Sequence, residues 1–161
     1  MKSSMSSSSS RKQLVDPIPA GLGVPDINVW LALATHEHAH HTQAKRWWRQ
    51  HDGSIAFVRP SQLGFLRLIT TAAAMDGKPL TVDEAWRVYD GFFDDDRVTF
   101  VPEPPDAEKR FRERAAGRTA SPKVWADAWM LAHANAAGGM LVTFDKALAA
   151  RGAHCLLSKR G

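Results

Sequence analysis

Only one cysteine, Cys155, is present, so no intrachain disulfide can form and a reducing compartment is the expected setting. No apolar run approaches the ~20 residues a membrane helix needs. The opening stretch MKSSMSSSSSRKQ carries basic residues but no apolar stretch behind them, which does not fit a secretory signal. A cytoplasmic protein with no membrane partner is the expectation. The sequence also has no internal repeat.

What remains is ordinary for a folded protein. The 161 residues are 44% hydrophobic and 24% charged, enough for one domain with a real core. The formal net charge is +4. Lys2, Arg11 and Lys12 lie in the serine-rich start with no acidic partner, so the rest of the chain is close to neutral. Residues 1–20 read as a flexible tail of leader or vector type, and residues 21–161 as the folded domain. A basic tail adds salt-dependent affinity for phosphates, but the body gives little general electrostatic ground for nucleic-acid binding.

Short apolar runs alternate with amphipathic helical stretches, which predicts α/β layers around a largely parallel sheet. Strands are expected at LGVP (22–25), SIAFV (54–58), RVTFV (97–101), MLVTF (140–144) and, at an edge, AHCLL (153–157). Helices are expected over 28–34 and 40–51, and from Pro60 and Ser61 through QLGFLRLITTA, where Leu63, Leu66 and Ile69 recur at helical spacing. Thr81 with Glu84 gives a capping-box pattern for TVDEAWRVYDGFF. Another helix is expected over 106–116. Ser121 and Pro122 suit the start of KVWADAWMLAHANAA.

Asp26 and Asp145 both fall at the carboxyl end of an expected strand, where open α/β sheets bind ligands. Asp127 falls on the helix face shared with Met130, Leu131 and Ala134. A carboxylate on an apolar stripe is costly unless paired or bound to a cation. Each aspartate alone can be a helix cap or a dipole partner, but three aimed at one sheet edge point to a site. Oxygen-rich acidic pockets suit Mg²⁺ or Mn²⁺, and such ions serve phosphodiester hydrolysis.

These residues resemble the PIN-domain endoribonucleases, specifically the VapC-type toxins of bacterial toxin–antitoxin modules. The stretches that carry the resemblance are PDINVWLALATHEHAHHTQAKRWW, SQLGFLRLIT and WADAWMLAHANAAGGMLVTFDKAL. The resemblance implies a three-layer α/β/α sandwich, cleavage of RNA with Mg²⁺ or Mn²⁺, a homodimer, and a small cognate VapB-like antitoxin. It implies metal ligation by Asp26, Asp127 and Asp145, with Asn28 and Thr143 orienting ligands or water behind them.

One position departs from the pattern. Gln62 stands where the family's second acid, a glutamate, is expected, and it brings no negative charge. That motivates an alternative: a weakened fold that binds RNA or an antitoxin without efficient cutting. Glu37 or the run Asp94–Asp96 are the acids that could stand in. Arg67, five residues after Gln62, matches the family's arginine and is expected to clamp a phosphate or pair with an aspartate. Lys123 is a second substrate-binding candidate.

His36, His38, His40 and His41 invite a zinc reading, but no further Cys or His cluster completes a ligand set. The basic stretch KRFRERAAGR (109–118) reads either as a solvated helix face or as an RNA surface. Trp47, Trp48, Trp86, Trp125 and Trp129 are assigned to core or interface packing rather than base stacking.

Overall fold

Strands of two to four residues, each separated from the next by helix, have the crossover connections that parallel pairing requires, and the chain pairs them in parallel throughout. The computed structural model describes residues 21–157. The expected tail, 1–20, lies outside them.

The order is β1 (Gly23–Pro25), α1 (Ile27–Ala34), α2 (His41–Gln50), β2 (Ile55–Phe57), α3 (Arg59–Ile69), α4 (Val82–Phe92), β3 (Val98–Phe100), α5 (Ala107–Ala115), α6 (Pro122–Ala136), β4 (Met140–Thr143), α7 (Lys146–Ala149) and β5 (His154–Cys155). The sheet order is β3-β2-β1-β4-β5, with every pairing parallel. Alternation along each strand makes two cores. Ile55, Phe57, Val98 and Val142 face α1, α2, α3 and α4. Val24, Ala56, Val58 and Leu141 face α6 and α7. The expected three layers are therefore present.

The first core centres on Trp30, which sequence reading did not single out. It is fully buried and stacks on Phe57 with ring centroids 3.6 Å apart. Among the five assigned tryptophans, Trp47 is buried, but Trp86 and Trp125 are exposed. On the outer layer, α5 lies along α6, with Phe111 edge-on to Trp125 and Trp129.

Caps formed where the residues called for them. Thr81 accepts from the Glu84 N–H and Ser121 from the Val124 N–H, each at 3.2 Å. Helix α3 differs from its expectation in length and phase. It ends at Ile69 because the Thr70 and Thr71 hydroxyls donate to the Leu66 and Arg67 carbonyls, satisfying the last turn without further helix. Its buried face carries Gln62, Phe65 and Ile69, whereas Leu63 is 60% exposed.

The Asp94–Asp96 run precedes β3, at the amino end of the parallel sheet. Asp95 pairs there with Arg97 at 2.7 Å, and Arg97 also donates to the Trp48 carbonyl at 2.8 Å. That run ties α2 to β3 and stands at the opposite sheet edge from the strand-end aspartates. Among the described residues, no helix is long and apolar enough to cross a membrane.

Candidate active site

From β1 the chain steps outward through β2 to β3, then returns to the other side of β1 as β4 and β5. The order thus reverses between β1 and β4, and beyond the carboxyl ends of those two strands lies the crevice that such a reversal creates. Pro25 is in register with Val142, so Asp26 and Thr143 emerge side by side.

A continuous chain of contacts crosses this crevice. The Ile27 N–H donates to Asp26 Oδ1 at 2.8 Å, making Asp26 the cap of α1. Thr143 Oγ1 donates to Asp26 Oδ2 at 3.3 Å and accepts the Asp145 N–H at 3.0 Å. Asp145 in turn caps α7 through the Ala147 N–H at 2.8 Å. Its other oxygen holds Lys123 Nζ at 2.5 Å. Lys123 lies one turn before Asp127 on α6, a helix placed against this sheet face by Met130, Leu131 and Ala134.

The electrostatics tie the three acids together. Burial raises Asp26 above the ordinary carboxylate range, and the Asp145 charge adds to this, against the N–H of Ile27 and the Thr143 hydroxyl. Burial also raises Asp127, with Asp145 and Asp26 adding and Lys123 and Arg151 opposing. Asp145 is lowered, chiefly by Lys123. Lys123 is raised, first by Asp145 and then by Asp127 and Asp26. Asp127 feels both other carboxylates, Asp26 feels Asp145, and Lys123 feels all three.

An oxygen-only acidic set of this kind suits Mg²⁺ or Mn²⁺. Burial is the main reason that Asp26 and Asp127 resist ionisation, and a divalent ion would favour their charged forms. Asp26, Asp127 and Asp145 are the residues that would hold it. As arranged here, no three Asp, Glu, His or Cys groups among the described residues converge on one point, and Asp145 is turned onto Lys123.

Other expected residues fall elsewhere. Asn28 is exposed on the first turn of α1, beside Asp26. Gln62 is buried, but its Oε1 accepts from Arg59; among the described residues it makes no bond to the acids. Gly64 of α3 is packed against Ile27 of α1. Arg67 is exposed and lines a groove with Val82, Ala85 and Trp86, and no pairing with an aspartate forms. Glu37 is exposed in the turn after α1.

The histidines hold their own turn together. His41 Nδ1 meets the Ala32 carbonyl at 2.7 Å and His38 Nδ1 accepts the His40 N–H at 3.0 Å, while the His38 and His40 rings lie against Phe144. Arg151 was missed altogether. Nothing in its local sequence signals that the turn after α7 brings it within reach of Asp127.

Comparison with known proteins concerns the family and the fold. The PIN domain family matches residues 24–153. Ribonuclease VapC41 of Mycobacterium tuberculosis, in two strains, is 41% identical over 128 residues, covering 76% of this chain and 88% of that protein. The crystal structure of Mycobacterium tuberculosis VapC20, a sarcin-ricin loop cleaving toxin, superposes with a TM-score of 0.57 at 18% identity, covering 81% of this chain and 95% of that one; this likeness concerns the fold. By the domain match and the close relative together, the chain belongs to the PIN domain family and, within it, to the VapC type.

Proposed function

We propose that this chain is a Mg²⁺- or Mn²⁺-dependent endoribonuclease toxin, hydrolysing RNA phosphodiester bonds at the β1–β4 crevice. The observation that carries the reading is that Thr143 bonds both Asp26 and the Asp145 N–H beyond the β1 and β4 ends, while Lys123, on the helix that carries Asp127, pairs with Asp145. A relative 41% identical is a ribonuclease, which supports the same conclusion. A divalent ion held by Asp26, Asp127 and Asp145 would supply the positive charge that favours ionisation of water and eases the departing oxygen.

The chain's own residues do the rest. Thr143 fixes the Asp26 carboxylate through its hydroxyl, and the Ile27 and Ala147 N–H groups aim Asp26 and Asp145. Asn28, exposed beside Asp26, is placed to orient water or a ligand. Lys123, with 66% of its side chain exposed, is placed to exchange Asp145 for a phosphate. Arg67 stands on the α3–α4 groove as a more distant contact to the RNA. A homodimer and a small VapB-like antitoxin are the proposed protein partners, and the exposed Val82 and Trp86 offer apolar surface to them.

The test is cleavage of mixed cellular RNA by purified protein with Mg²⁺, Mn²⁺ or chelator, beside Asp26→Asn. Metal-dependent cutting that Asp26→Asn abolishes supports the reading. Identical behaviour of the two proteins on every RNA refutes it, and RNA binding without any cutting would favour the weakened alternative raised by Gln62.

A further inference from the structure

The basic stretch from Lys109 to Arg118 divides in two once folded. Arg110 pairs with Asp106 at 2.7 Å and Arg112 with Glu108 at 2.8 Å, each one turn back on the solvated face of α5. Arg114 and Arg118 make no such pair among the described residues. Arg114 turns toward the turn after α7 and donates to the Arg151 carbonyl at 2.9 Å, while Arg151 donates back to the Arg114 carbonyl at 2.7 Å. A second Arg114 nitrogen holds Asn135 Oδ1 of α6 at 2.5 Å.

The clasp concentrates positive charge. Arg151 lies close enough to Arg118 and Arg114 to feel both, and Asp127 is the acid that eases it. Its Nε is buried without a hydrogen-bond partner. Like charges held together are an unfavourable arrangement for the free protein. They become favourable when an anion arrives, and the planar guanidinium fork matches a phosphate better than any other side chain does.

We infer that Arg114, Arg118 and Arg151 form a phosphate-binding subsite on the Asp127 side of the acid crevice, taking a backbone phosphate that flanks the scissile one in single-stranded RNA. This rests on the nuclease reading for the identity of the ligand. The subsite and the acids do different work. The acids hold cations, and the arginines seat a chain whose reacting phosphate then lies over the acids. Such contacts position the strand and carry no sequence information of their own.

The experiment measures binding of a labelled single-stranded RNA by fluorescence anisotropy across salt concentrations, in the full chain carrying Asp26→Asn to prevent cutting. Arg118→Ala is the central variant because Arg118 is exposed and its side chain makes no hydrogen bond or ion pair among the described residues. Arg112→Ala is the control on the same helix. Arg118→Ala should weaken binding about tenfold and reduce the log–log salt slope by about 0.7, with Arg112→Ala unchanged. In the cutting enzyme, Arg118→Ala should raise KM and leave kcat alone.

Equal affinities and slopes for Arg118→Ala and Arg112→Ala overturn the subsite. If wild type cuts RNA while those two variants match, the subsite fails and the nuclease reading stands. If nothing cuts yet binding still depends on Arg118, the nuclease reading fails and the subsite stands. Arg151→Ala, checked for folding by its melting curve, should weaken binding at least as much as Arg118→Ala.

Discussion

Thr143 donates its hydroxyl to Asp26 across two neighbouring parallel strands, at 3.3 Å. The contact follows from register, because Pro25 and Val142 face each other one residue earlier. The same oxygen accepts the Asp145 N–H, so one side chain sets both strand-end acids. Thr143→Val keeps the shape and removes both bonds. We expect a loss of about 1–3 kcal/mol in folding stability and a higher Mg²⁺ requirement, whereas Thr143→Ser keeps both properties near wild type. Denaturant melts and a metal titration of cleavage measure the two effects.

Asp26 gives a pH dependence whose sign is fixed. Its folded pKa is raised, mainly by burial, so the ionised form is disfavoured in the folded state. Stability from this group is present below the ordinary carboxylate pKa and is lost as pH rises through the folded value. Asp26→Asn removes the charge and retains an oxygen for the Ile27 N–H. The variant should therefore be more stable than wild type at neutral pH, with the gap closing on acidification. A less stable Asp26→Asn protein at pH 7.5, measured by chemical denaturation, would contradict the electrostatic picture.

Lys123 competes with any cation for Asp145, since its ammonium already sits on that carboxylate. The pair is largely exposed on the lysine side, so its worth is below about 1 kcal/mol. Lys123→Met should accordingly tighten Mn²⁺ binding by about threefold in calorimetric titration, while weakening RNA binding through the lost charge. Weaker Mn²⁺ binding in this variant would show that Lys123 supports the ion rather than displacing it.

Gly64 sets the approach of α3 to α1. A Cβ there would stand 2.8 Å from Ile27 Cγ1, closer than packing permits. Alanine gains about 1 kcal/mol of helix propensity, and overpacking costs about 1–3 kcal/mol. Gly64→Ala should lose about 1 kcal/mol net, and by moving Ile27 it should also lower cleavage. A melt showing clear stabilisation would mean that Ile27 rotates away freely.

The sequence revealed the acids more readily than their surroundings. Asp26 and Asp145 were visible because each ends an apolar run, and Asp127 because it interrupts an apolar stripe; both patterns are local. The phase of α3 was not. Leu63, Phe65, Leu66, Leu68 and Ile69 crowd one helix so densely that two faces fit the spacing, and only tertiary neighbours choose between them. Ile27 selects Gly64, and Arg59 claims Gln62, which left Arg67 on the outer face. Arg151 and the short helix α7 were hidden for a similar reason. A four-residue helix has too little periodicity to read, and an arginine in a turn shows its partners only when α5 is in place.

The most direct measurement is Mn²⁺ binding by wild type, Asp26→Asn, Asp127→Asn and Asp145→Asn, made without RNA. If these three residues from β1, α6 and β4 form one cation site, every single substitution should weaken Mn²⁺ binding by at least about tenfold, about 1.4 kcal/mol. Asp127→Asn is the critical case, because only Asp127 comes from the helix rather than a strand end. Wild-type Mn²⁺ affinity in Asp127→Asn would contradict the account of a shared site.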